Sequence, residues 1–143
     1  MYAINIATAG NASSLGRLDP SGNQGEKAYG GAASDATRMI IAGGRTKVSQ
    51  NGYRTDQIEY FNYGSSGNTS DFGDLTQANF YCTGTTSNST RAVISGGDAG
   101  GTLRSYIYYV TIQTTGDATQ FGDLYGDGSD ARRGLHAAYS GQA

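Results

Sequence analysis

Three stretches of this chain are close copies of one another, and that limits what it can fold into. Met1 to Leu18 reads "MYAINIATAGNASSLGRL", Ile58 to Leu75 reads "IEYFNYGSSGNTSDFGDL", and Ile107 to Leu124 reads "IYYVTIQTTGDATQFGDL". They align without a gap, 57 residues apart from Gly10 to Gly67 and 49 from Gly67 to Gly116. A second motif falls between them, "TRMIIAGG" over Thr37 to Gly44 and "TRAVISGG" over Thr90 to Gly97, offset by 53 residues. A small-residue stretch precedes each, "AYGGAASDA" and "YCTGTTSNS", and the C-terminal "ARRGLHAAYSG" is similar to both. Recurrence at about fifty residues signals a repeat architecture, in which each unit buries its apolar face against its neighbours. The expected units are 1–44, 45–97 and 98–143 within a single domain, 1–143. The last stops short of its own "TR…GG" strand or carries a degenerate one.

Each element has a physical reading. In "YIYYVTI", Tyr106, Tyr108, Val110 and Ile112 point one way and Ile107, Tyr109 and Thr111 the other, as a strand requires. Ile4, Phe61 and Val110 occupy one place in the three copies, and Ile6, Tyr63 and Ile112 follow two residues on. This predicts one core face used three times. Gly10, Gly67 and Gly116 follow the strand and precede Asn or Asp, which suits a tight turn at positive φ. Leu15, Phe72 and Phe121 are expected to be buried plugs between repeats, with Leu18, Leu75 and Leu124 filling the same layer. Asp74 and Asp123 are expected to accept backbone hydrogen bonds in the loop. "AGG" and "SGG" end a strand and turn the chain. No stretch has helical periodicity, so the fold class is all-β, built from antiparallel repeats of about fifty residues.

Composition agrees and removes several function classes. Disordered chains are poor in aromatic and β-branched residues. Here 11 Tyr cluster with Ile, Val and Thr in short runs. The net charge of −2 gives no basic face for nucleic acid. The single Cys82 forms no internal disulfide and reads as a small buried residue in a strand. "MYAINIATAG" lacks the basic and apolar regions of a signal peptide, and no apolar run approaches the ~20 residues of a membrane span. A soluble chain made in a cytoplasm is expected, with no cofactor.

A strand ending in Gly-Gly, a tyrosine-rich strand, a loop ending in an aromatic and Leu, then a small-residue strand together resemble a kelch-type repeat. Phe72 and Phe121 hold the usual Trp position, and Leu15 holds it in the first copy. The wording "TTGDATQFGDL" with "TR…GG" is similar to repeats in virion structural proteins of tailed phages, notably cyanophages. The resemblance implies propeller-like blades and a place in a phage particle, in a tail fibre, a baseplate or a capsid decoration. Closed propellers need roughly four to eight blades. About three repeats would leave unpaired edges, so the chain is expected to associate with itself or with other virion proteins. A β-sandwich or β-prism is the alternative architecture.

Candidate sites are few. Asp123, Asp127 and Asp130 lie near glycines in "GDLYGDGSDARR", a weak calcium candidate whose spacing is not that of a helix–loop–helix site. His136, the only histidine, has no legible catalytic partner. Asn11, Asn68 and Asn88 match the glycan-acceptor pattern, two of them where the turn favours Asn anyway. The loop "GRTKVSQNGYRTD" is longer than its counterpart "GDAGGTLRS" and carries Arg45, Lys47, Tyr53 and Arg54, the expected partner contact. Three functions follow in order of preference. The first is a non-enzymatic structural protein, and the second is a module that binds host-surface glycans. The third is a polysaccharide-cleaving enzyme, which would need two placed carboxylates.

Overall fold

The structure, a computed structural model, describes residues 1–5, 7–18, 27–28, 30–46, 53–79, 81–82, 84–99 and 101–124. All regular structure among them is β. A hairpin comes first, β1 (Tyr2–Ala3) with β2 (Ser13–Ser14), followed by β3 (Lys27–Ala28). Next are β4 (Gly31–Ser34), β5 (Arg38–Ala42), β6 (Arg45–Thr46), β7 (Tyr53–Arg54), β8 (Gln57–Asn62) and β9 (Ser70–Asp74). The chain continues through β10 (Gly84–Ser87), β11 (Arg91–Ser95), β12 (Tyr106–Thr111) and β13 (Thr119–Asp123). Two four-stranded antiparallel sheets dominate, ordered β4-β5-β8-β9 and β10-β11-β12-β13. β3, β6 and β7 form a small third sheet. Among the described residues the sheets close into neither a barrel nor a ring.

The two large sheets pair their strands in the same register. Ile40 lies opposite Tyr60, and Val93 opposite Tyr109. Tyr60 lies opposite Ser70, and Tyr109 opposite Thr119. A register shift follows Ile58 in one sheet and Ile107 in the other, the same position of the repeat. The hairpin obeys the rule too: Tyr2 with Ser14 and Ala3 with Ser13 match Glu59 with Asp71 and Tyr60 with Ser70.

Short side chains set the turns. Asp35 Oδ1 accepts the N–H groups of Thr37 and Arg38 at 2.7 and 2.8 Å between β4 and β5. Asn88 Oδ1 accepts those of Thr90 and Arg91 at 2.8 and 2.7 Å between β10 and β11. Asp and Asn mimic a backbone turn in this way. The Gly-Gly corners take left-handed backbone, with φ of 63° and 108° at Gly43 and Gly44 and of 70° and 115° at Gly96 and Gly97.

The core lies between the two sheets. Ile40, Ala42, Ile58 and Phe72 of the first meet Ala92, Ile94, Tyr108, Val110 and Ile112 of the second, with Leu75, Cys82 and Ala118. Each large apolar side chain buried here contributes about 1.5–3 kcal/mol. β4 and β10 run side by side, which explains their small residues. Thr85 Oγ1 donates to the carbonyl of Ala32 at 2.7 Å, and Ser87 Oγ to that of Ser34 at 2.6 Å. A Cβ at Gly31 would collide with the carbonyl of Cys82.

The opposite face of the first sheet buries a charge pair. Lys27 Nζ meets Glu59 Oε1 at 2.6 Å, both side chains almost wholly buried. Thr69 Oγ1 donates to the other carboxylate oxygen at 2.8 Å.

The single repeated core face needs correction. Phe61, Val110 and Ile112 are buried, but Ile4 and Tyr63 are exposed. Ile4 follows the short strand β1 on the exposed hairpin, and Tyr63 lies in the turn beyond β8. Ile6 is outside the described residues.

Candidate functional site

One contact is made twice along the chain. The Gly67 N–H donates to the carbonyl of Leu15 at 2.7 Å, and the Thr69 N–H to that of Arg17 at 3.0 Å. In return the Arg17 N–H donates to Asn68 Oδ1 at 3.2 Å. Further on, the Gly116 N–H donates to the carbonyl of Phe72 at 2.7 Å, and the Ala118 N–H to that of Asp74 at 2.8 Å. The Asp74 N–H donates to Asp117 Oδ1 at 3.0 Å. A Gly-Asn or Gly-Asp loop thus clips onto the last strand of the segment before it.

That approach demands glycine in the receiving strand. Gly16 and Gly73 sit at φ of 143° and 148°, and a Cβ on either would collide with the backbone of Gly67 or Gly116. This is the work of the Gly in Phe-Gly-Asp-Leu. Beside it, Phe72 is 3% exposed and meets Tyr60 edge-on at 6.1 Å, with Arg38 lying 4.3 Å over the tyrosine ring.

The third receiving strand has the same parts. Phe121 meets Tyr109 edge-on at 6.1 Å, and Arg91 lies 4.7 Å over that tyrosine. Yet Phe121, expected to be a buried plug, is 63% exposed, and Leu124 is exposed where Leu75 is buried. A Cβ on Gly122 would meet nothing within 4 Å. No described sheet lies against this face, and a plug needs a second wall. Leu15 and Leu18 are half-buried. Gly67 and Gly116 take φ of 118° and 152°, whereas Gly10 is not at positive φ and is exposed.

Other expected sites fall out differently. Asp123 accepts a hydrogen bond from the Ser105 hydroxyl at 3.1 Å, a side-chain donor rather than the expected backbone one among the described residues. Asp74 uses its backbone N–H as donor, and its carboxyl titrates above the usual range because of burial and the nearby Asp56, Asp117 and Asp71. Asp127, Asp130, His136 and Lys47 lie outside the described residues. Among the described residues no three His, Cys, Asp or Glu side chains gather where a metal could be held. Arg45 and Arg54 face each other across β6 and β7 with exposed side chains, and Tyr53 pairs with Thr46 along the backbone. Cys82 is buried just before β10, not in a strand, and burial pushes its thiol up to about 12.

Sequence reasoning missed Asn79. It is buried, its Nδ2 donates to the carbonyl of Gly96 at 2.8 Å, and its own carbonyl accepts the Gly44 N–H at 2.8 Å. It ties the two Gly-Gly corners together. An isolated Asn before an aromatic carries no pattern that would have revealed this role.

The chain matches no protein-family model, and no curated protein is significantly similar to it.

Proposed function

We propose that the chain is a non-enzymatic structural component of a phage virion, assembling as a homo-oligomer, decorating the capsid or tail, or both. Its two four-stranded sheets, together with the N-terminal hairpin of the first copy, act as propeller-type, kelch-like blades, about three to the chain. The observation that carries the reading is the contact made twice inside the chain and, among the described residues, not made at Phe121. A module that stacks by one rule and exposes the next receiving strand is suited to assembly. The resemblance of "TTGDATQFGDL" and "TR…GG" to phage structural repeats supports an assembly within a particle.

The test is to raise antibodies to the purified chain and label density-purified particles of the phage that encodes it. Gold label on the particles, with the chain detected in their mass spectra, is the expected result. A chain abundant in the lysate and absent from the particles would overturn it.

A second reading, adhesion to host glycans, draws support from a cleft of about 270 Å3 lined by Tyr109, Thr111, Thr115, Asp117 and Thr119. An aromatic ring beside hydroxyls and a carboxylate suits a sugar. Glycan-array binding abolished by Tyr109→Ala would favour this reading over the first.

A further inference from the structure

We propose that the β13 edge of one copy receives the Gly10-Asn11-Ala12 loop of a second copy, so that chains join head to tail. The proposal deepens the assembly reading above and rests on it.

Both halves of the joint are on the surface of the same molecule. The receiving half is Phe121-Gly122-Asp123, identical in sequence to Phe72-Gly73-Asp74, which already holds a loop. Its rings are preset in the geometry they have at the filled joint. Space stands open above Gly122, where at Gly73 the incoming backbone lies. The donating half is Gly10-Asn11-Ala12, in alignment with Gly67-Asn68-Thr69 and Gly116-Asp117-Ala118. All three residues are exposed. By the rule of the filled joints, the Gly10 N–H donates to the carbonyl of Phe121 and the Ala12 N–H to that of Asp123. Asn11 Oδ1 then accepts the Asp123 N–H.

The flanking side chains agree. Tyr2 and Ile4 align with Tyr108 and Val110, which cover the receiving face of the first sheet. They are 76% and 64% exposed, whereas Tyr108 and Val110 are buried. In the joint they cover Phe121 and Tyr109. Of the five most exposed large apolar side chains described, Tyr2, Ile4, Phe121 and Leu124 belong to these two ends. Charge also favours the joint. Asp117 stands close enough to Asp74 to raise its pKa, whereas Asn11 brings no charge to Asp123. A heterologous joint of this kind closes into a ring when its rotation permits and otherwise grows as a filament.

The experiment uses the 143-residue chain. Sedimentation equilibrium over a concentration series should show reversible association, weakened at least tenfold by Gly122→Leu. That variant should keep the wild-type unfolding midpoint in dilute solution, because space is free around Gly122 and its φ is not positive. Separately, Asn11→Cys and Asp123→Cys chains should form disulfide-linked dimers when mixed under mild oxidation, and not when either is alone. Three results would overturn the proposal: a wild-type chain that stays monomeric throughout; association untouched by Gly122→Leu; or crosslinking within either single variant, which means a symmetric joint. None of these bears on whether the chain is found in particles, so failure here is separable from failure of the virion reading.

Discussion

Phe72 and Phe121 hold the same place in consecutive sheets, each edge-on to a tyrosine at 6.1 Å, but one is walled in by the next sheet and the other faces solvent. Their substitution should therefore differ sharply. Phe72→Ala is expected to cost about 3–5 kcal/mol, the range for deleting a buried aromatic ring. Phe121→Ala should stay within about 0.5 kcal/mol in dilute solution, as exposed positions usually do. Denaturant unfolding of the two variants compares them directly.

The Lys27–Glu59 pair makes a second prediction. Removing one member of a buried ion pair typically costs about 3–5 kcal/mol, because the other charge is left stranded. Glu59→Gln should do so here, with both partners shielded and Thr69 also bound to the carboxylate. The double replacement Lys27→Met with Glu59→Met should recover most of that loss in a thermal melt.

Two aspartates should pull the pH profile in opposite directions. Burial raises the pKa of Asp35, but hydrogen bonds from Gln113, Thr37 and Arg38 outweigh it and hold the carboxyl at about 2. A carboxyl lowered from its ordinary 3.8 contributes stability that is present above about pH 4 and is lost as pH falls toward 2. Asp35→Asn should flatten that acid limb. Asp74 is raised, so its ionised form opposes folding and the opposition fades as pH falls. Asp74→Asn should raise the melting temperature at pH 7, with the gain shrinking in acid. Melting temperatures from pH 2 to 7 measure both.

Cys82 should be inert while the chain is folded. Its thiol is fully buried and held near 12, and only the thiolate reacts readily. A disulfide reagent at pH 8 should label no thiol in the native chain and one in denaturant. Fast native labelling would mean the core around Cys82 opens.

The amino-acid sequence by itself determined that the chain is all-β and that three segments pair by one rule. Alternating Tyr, Ile and Val set the strands, and Gly43-Gly44 and Gly96-Gly97 the corners, all through local chemistry; the turn roles of Asp35 and Asn88 came only from the structure. Phe72 was also legible, because an apolar residue recurring at one place asks for a wall. Which copies have that wall was not legible, since Phe72 and Phe121 sit in the same "FGDL" and differ only in what lies across from them. Lys27 with Glu59, and Asn79 with the Gly96 carbonyl, were hidden for a related reason. Each joins groups far apart in the chain, so the packing of sheets created the partnership and no local pattern recorded it. Burial is a property of neighbours, and a repeated sequence cannot say where its neighbours stop.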